Sequence, residues 1–270
     1  MTRDYPAPVE GLVVEHDGPV LRLRLDRPER RNALTDAIVQ ALTDAVEAAG
    51  SDESVRVVAL SATGEHFCSG FDLAGRSGGG EKPRIGSTQR RMRWQVNRLV
   101  PTFLETQTPI VVACTGATMG LGLHVALAAD FAVVATDARL RAPFTTMGFT
   151  PDSGGSWLVP RLVGVARAKE LLLLGREISG AQAADWGMVH RAVPADEVAA
   201  TAEALVQELA AAPTVAVGLA KLLIQRSTTV DLERHLADEA LAIELSSRSE
   251  DFHEYHRSRR ERRDPGFTGR

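Results

Sequence analysis

A chain of 270 residues with 44% hydrophobic residues, 24% charged residues and a formal charge of -4 has the composition of a globular protein with a core of its own. There is no basic surplus to recruit nucleic acid, and the most apolar region, residues 109–135, is too interrupted by Thr115, His124, Asp130 and glycine to read as a membrane span. Cys68 and Cys114 are too few for a disulfide framework and sit in apolar settings, so buried thiols and a reducing, cytoplasmic location are expected, in line with the absence of a signal-like stretch in MTRDYPAPVE.

In chain order, VLRLRL at residues 20–25 alternates apolar and polar side chains as a half-buried strand does, and DRPERRN then breaks it. Leu34, Ile38, Leu42, Ala45 and Ala49 recur at helical spacing, which predicts a helix over residues 32–50 with Asn32 or Thr35 as N-cap and Gly50 as terminator. Residues 55–60 read as a buried strand, FCSGFDL as a tight turn and RSGGGEKPR as a mobile loop. A helix over 89–105, a strand in TPIVVAC, a helix over 121–130 and a strand in DFAVVA follow. This alternation argues for α/β layering up to about Arg191. After Pro194 the pattern is helical only, with one apolar stripe at Val198, Ala202, Leu205 and Leu209 and another at Leu232, Leu236, Ala240 and Ile243. The expected organisation is an α/β core over 1–193 and a helical C-terminal subdomain over 194–270, without an internal repeat of fixed period.

The stretch TGATMGLGLHVALAAD, residues 115–130, has the glycine spacing of a dinucleotide loop in short-chain dehydrogenases. More than a hundred residues precede it, however, and the chemistry of those enzymes needs a tyrosine with a lysine four residues on. Only Tyr5 and Tyr255 are present, with Arg259 at the position of the second one's lysine. A Walker loop is excluded because no Gly-Lys-Ser or Gly-Lys-Thr triplet exists.

Taken together, EHFCSGFDL, TGATMGLGLHVALAAD and GFTPDSGGSWLVPRLVG resemble the signature regions of the crotonase superfamily, the enoyl-CoA hydratase/isomerase family. DRPERRNAL, ISGAQAADWGMVHRAVP and RRDPGF add matches, so the resemblance runs from about Leu12 to Phe267. It implies an α/β fold, a superhelix of repeated ββα units with a helical C-terminal subdomain, assembled as a homotrimer or dimer of trimers. It also implies an acyl-CoA thioester substrate, with coenzyme A as part of that substrate, no prosthetic group and no metal.

A thioester that loses a proton or accepts a nucleophile develops negative charge on its carbonyl oxygen, which two fixed backbone N–H groups can hold. By resemblance those donors are Phe71 and Leu121, the latter at a helix N-terminus. Removing one such donor costs roughly 3 kcal/mol of transition-state stabilisation. Hydratases of the family employ two glutamates, and His124 and Phe144 stand at those positions. Asp152, in TPDSGG, resembles the acid/base aspartate of some family isomerases; without the resemblance it reads as a helix cap. His124 reads equally as a buried core residue and as a neutral imidazole that relays a proton, orients a water or pairs with Asp152.

For coenzyme A, the resemblance implies contacts at Arg27, Arg31, Ala33, Ser69 and Asp72, largely through backbone. Asp72 also reads as a structural partner in its turn, and Trp157 and Trp186 as core or interface aromatics. The family's final helix has apolar residues where this chain has HRSRR, which implies a different docking. The expected reaction is isomerisation or rearrangement of an unsaturated acyl-CoA with Asp152 as acid/base. Hydration using His124 and Asp152, and acyl-CoA binding without turnover, are the alternatives.

Overall fold

The computed structural model describes residues 5–6, 9–73 and 84–270. Apart from Arg84, the segment expected to form a mobile loop lies outside the described residues. The chain folds around a six-stranded sheet in which β1 (Leu12–Asp17), β2 (Val20–Leu25), β3 (Val57–Ala62), β4 (Ile110–Cys114), β6 (Phe131–Ala135) and β9 (Arg191–Val193) are neighbours in that order. Only β1 and β2 pair antiparallel; every later neighbour is parallel. A smaller sheet orders β5 (Ala117–Met119), β7 (Arg139–Arg141) and β8 (Glu177–Ser179). The turns β4–β5 and β6–β7 each place one strand in either sheet before a helix, the ββα unit of the superhelix the resemblance implies.

The alternation in β2 reports two different faces. Leu21, Leu23 and Leu25 are buried, whereas Arg22 points to the other side and makes two hydrogen bonds with Glu203, at 2.8 and 2.9 Å. Glu203 belongs to α7 (Val198–Ala211), which covers that face. The half-exposed pair contributes no more than about 1 kcal/mol, so α7 is held by its apolar residues. Those are Val198, Ala202, Val206 and Ala210; Leu205 and Leu209, expected in the stripe, sit at its margin. A strict four-residue step fits a helix lying flat on a sheet.

On the opposite face, α1 (Asp36–Ala49) starts at Thr35, whose hydroxyl accepts from the Ile38 N–H at 3.2 Å, a cap worth about 1 kcal/mol. Asn32 is therefore not the cap. The helix expected over 89–105 is two, α2 (Ser87–Trp94) and α3 (Val96–Glu105), broken at Gln95, whose φ of -122° and ψ of -90° are not helical. Apolar periodicity carries across such a break and cannot reveal it. Next come α4 (Leu121–Ala128), α5 (Gly155–Leu173) and α6 (Gly180–Asp185).

The C-terminal helices α8 (Thr214–Arg226), α9 (Leu232–Ser246) and α10 (Glu250–Glu261) attach mainly through polar groups. Lys221 on α8 lies 2.8 Å from Asp130, with both side chains almost buried, and also donates to the Thr108 carbonyl at 3.2 Å. Burial pushes the Asp130 carboxyl up and the Lys221 ammonium down, so each charge persists because of the other. Asp251, Glu254 and Ser258 are the buried residues of α10, in keeping with the polar character of its sequence. Asp251 accepts the N–H groups of Thr268 and Gly269, while Arg56 at the start of β3 donates to Thr214, Ala212 and the Phe267 carbonyl. The stripe on α9 is not a core face: Leu232 is 71%, Leu236 53% and Ile243 63% exposed. Among the described residues no single helix is long and apolar enough to cross a membrane.

Candidate active site

The two loops of the candidate site are joined by backbone hydrogen bonds. Cys68 pairs with Thr118 in a parallel bridge, its N–H donating to the Ala117 carbonyl at 3.0 Å and its carbonyl accepting from Met119 at 2.9 Å. Leu34 bridges Phe71 in the same manner, its N–H donating to Gly70 and its carbonyl accepting from Asp72, each at 2.8 Å. In a parallel bridge the residue opposite uses neither of its own peptide groups on that partner. The N–H of Phe71 therefore faces away from Leu34, on the side where the second loop runs. Gly70 lies against that loop: a Cβ there would sit 3.1 Å from the Met119 carbonyl oxygen and 3.7 Å from the Leu121 nitrogen. Its φ of 103° is glycine's territory.

Gly120 makes the second turn with φ 53° and ψ -122°, a conformation closed to side-chain-bearing residues, and places Leu121 at the first position of α4. An N–H there has no acceptor within its helix and lies at the positive end of the dipole. Cys68, which sequence reading treated only as a buried thiol, ties the loops together. Its Sγ accepts the Gly70 N–H at 3.3 Å, and its side chain presses on Gly122, where a Cβ would come within 2.6 Å of it. Burial pushes the thiol up to about 12, so it acts as packing and hydrogen-bond acceptor. The signal for this role was its place two residues before a glycine in FCSG.

All eight residues of α4 are buried, and His124 is 0% exposed. Neither imidazole nitrogen has a hydrogen-bond partner, and burial lowers the group to about 4, so the ring is neutral at pH 7. An unsatisfied buried polar atom costs about 1–3 kcal/mol, which makes the ring an expensive occupant of this place. The Phe144 ring stacks on it with centroids 5.3 Å apart and planes 13° apart, and Phe149 meets Phe144 edge-on at 5.8 Å. Phe144 also lies beside the second loop, its Cζ 3.9 Å from where a Gly120 Cβ would be. The far edge of the imidazole lies on Gly155, where a Cβ would overlap Nε2. The two positions held by glutamates in the hydratase pattern thus meet here as a packed aromatic pair.

Asp152 sits in the turn before α5, with Ser153 at φ 49° donating to its carboxylate at 2.9 Å. The carboxylate does not cap the helix: α5 has no side-chain cap, and the Gly155 N–H goes to the Asp152 carbonyl at 3.0 Å. Nor does His124 pair with it, since both ring nitrogens lack hydrogen bonds. Instead Asp152 lines a groove of about 830 Å³, facing Val100 and Leu104 of α3, Trp157 of α5 and Leu222 of α8.

The residues expected at the coenzyme A end also come together. Arg27 donates to the Ala33 carbonyl at 2.8 Å and pairs with Asp72 at 3.2 Å, while the Ser69 N–H donates to Arg31. Asp72 thus has the structural partner expected of it, and the guanidinium of Arg27 is engaged within the loop. Asn32, missed as a hub, accepts from the Arg27 N–H and donates to the Thr63 and His66 carbonyls from a buried, left-handed position. Arg161 stacks on Trp157 with 3.8 Å to the ring centroid, and Arg167 on Trp186 with 4.8 Å. Among the described residues no group of three His, Cys, Asp or Glu side chains could hold a metal ion.

Two loops joined by backbone hydrogen bonds, a buried helix that begins at one of them and a carboxylate beside a groove make up the candidate site. The enoyl-CoA hydratase/isomerase family matches residues 15–270, and the chain belongs to that family, within the crotonase superfamily. It is 35% identical over 253 residues to the 1,2-epoxyphenylacetyl-CoA isomerase of Escherichia coli K12, covering 93% of this chain and 95% of that one. It is 32% identical to the 2,3-dehydroadipyl-CoA hydratase of the same organism, covering 96% and 99%. A crystal structure of a putative enoyl-CoA hydratase from Streptomyces coelicolor A3(2) superposes with a TM-score of 0.91 at 28% identity, covering 99% and 98%.

Proposed function

We propose that this protein isomerises or rearranges an unsaturated acyl-CoA, with Asp152 as acid/base and the Phe71 and Leu121 N–H groups holding the thioester oxygen of the enolate. The observation that carries the reading is a contrast: His124 and Phe144, at the positions the resemblance gives to the glutamates, are stacked rings, while Asp152, three residues before the Gly155 that abuts His124, lines a groove. In a double-bond shift the Asp152 carboxylate removes the C2 proton of a 3-enoyl thioester. The electron pair passes into the enolate, the double bond moves to C2–C3, and Asp152 returns the proton to C4. No water is consumed. The 35% identity to a protein named as an isomerase of epoxyphenylacetyl-CoA favours an unsaturated or strained, ring-bearing acyl group as substrate class.

Coenzyme A lies along the loop of Arg27, Arg31, Ala33, Ser69 and Asp72, bound largely by backbone groups. The exposed leucines of α9, with Val165 and Leu173 of α5, supply the apolar surface for a homotrimer or a dimer of trimers. Two buried free thiols suit the reducing cytoplasm.

The test is Asp152→Asn assayed with crotonyl-CoA, a 3-enoyl-CoA and a 2,4-dienoyl-CoA. Turnover falls by about 10²–10⁴-fold, the contribution of a positioned acid/base, while acyl-CoA affinity stays within about twofold. Full activity in that variant removes Asp152 from the mechanism. Silence of the unaltered protein on every substrate, with coenzyme A binding intact, leaves a binding protein.

A further inference from the structure

His124 and Phe144, at the positions the resemblance gives to the two glutamates of hydratases, form a closely packed stack. We propose that the pair is a specificity determinant that keeps water from the acyl group, so that the enolate is reprotonated rather than the double bond hydrated. This rests on the isomerase reading above.

Two observations converge on it. The pair is closely packed: His124 is 0% and Phe144 7% exposed, Phe149 meets Phe144 in a T-shaped contact, and Gly155 leaves no gap beside the imidazole. The plug also borders the proposed chemistry, because Phe144 lies beside the turn at Gly120 that presents the Leu121 N–H, its Cζ 3.9 Å from where a Cβ on that glycine would be. The orphaned nitrogens of His124 sharpen the point. An imidazole with an unused donor and an unused acceptor is a ready partner for water, and its neutral state persists down to about pH 4. The aromatic lid over it withholds that partner.

The reaction balance separates the two outcomes. Isomerisation moves one proton from C2 to C4 and leaves the composition of the thioester unchanged. Hydration adds the hydroxyl of one water to C3, while the other proton of that water passes to the base and from it to C2. A base is present in either case, in Asp152. What the plug removes is the nucleophile.

The experiment compares the unaltered protein with Phe144→Ala and His124→Ala, each given crotonyl-CoA and a 3-enoyl-CoA in heavy-oxygen water. Mass spectrometry of the thioesters then reads the ratio of hydrated to isomerised product. Both variants should raise that ratio by at least ~10-fold, short of the ~10²-fold that a second positioned acid/base would bring. Phe144→Leu, which leaves a smaller void, should move the ratio in the same direction and keeps the test open should Phe144→Ala not fold, as judged by thermal melting. An unchanged ratio in folded variants overturns the proposal, as does hydration by the unaltered protein at a rate matching its isomerisation. If the unaltered protein neither isomerises a 3-enoyl-CoA nor exchanges its C2 proton with deuterated solvent, the isomerase reading itself fails and takes the plug with it. That outcome is distinct from an active isomerase whose variants stay dry.

Discussion

Two helices, α4 within the core and α9 at the surface, are used in opposite ways. In α4 all eight residues are buried, its first residue is one of the two candidate oxyanion donors and its fourth is the unpaired imidazole. In α9 only Ala242 is buried, and Leu232, Leu236, Leu241 and Ile243 stand in solvent. Composition already separates them: α4 has no charged residue and a glycine where the Cys68 side chain approaches, whereas α9 interleaves its leucines with Glu233, Arg234, Asp238, Glu239 and Glu244 and leaves those leucines exposed. A fully buried helix tolerates little change, and one whose side chains are mostly exposed tolerates much, as far as the single chain is concerned.

The largest effect is expected where the two regions are joined. Lys221→Met leaves Asp130 buried without its partner at the end of α4, and should cost about 3–5 kcal/mol in chemical denaturation. Adding Asp130→Asn should recover most of that loss. If the single variant is neutral, the C-terminal helices do not depend on this pair.

Next is the acid response of α4 itself. The unfolded imidazole takes up a proton below its ordinary pKa of 6.5, while burial holds the folded one at about 4. The stabilisation is therefore complete above pH 6.5 and is lost as the pH falls toward 4, by about 3 kcal/mol in total. His124→Phe, which cannot titrate, should lack that slope in unfolding measured across the same range.

Smaller still is the cost of filling space. Gly122→Ala drives a methyl into Cys68 and should destabilise by about 1–3 kcal/mol while lowering turnover, because the shift is passed to Leu121. At the other extreme, Leu236→Lys on α9 should change the stability of the dilute single chain by no more than about 0.5 kcal/mol. Its effect should appear in sedimentation, as a loss of assembled mass. An assembly that survives this change places the interface elsewhere.

Much of this contrast was legible in the residues. The strand-helix alternation from β2 to β6 followed from apolar periodicity, β1 and β5 aside, and the glycines of FCSGFDL and TMGLGL marked two turns whose closeness only the fold reveals. The three-residue strands β5, β7, β8 and β9 are too short to carry a period of two, and they pass unseen. The pairing of His124 with Phe144 was hidden for another reason: twenty residues separate them, and no local rule places a ring in β7's following loop on a helix that precedes it. The unused nitrogens of His124 follow from the same packing. Asp152 was readable as a turn residue, but the choice between cap and groove depended on which group, carbonyl or carboxylate, took the Gly155 N–H.

The tie from Arg56 to the Phe267 carbonyl spans 211 residues of chain. Contacts of such sequence separation form late, since the entropy of closing so large a loop is met only after most of the intervening structure is in place. During refolding, then, the strands around β3 should resist proteolysis before the segment from 264 to 270 docks. A slow final phase, weakened by Arg56→Ala, would be the kinetic trace of that single guanidinium.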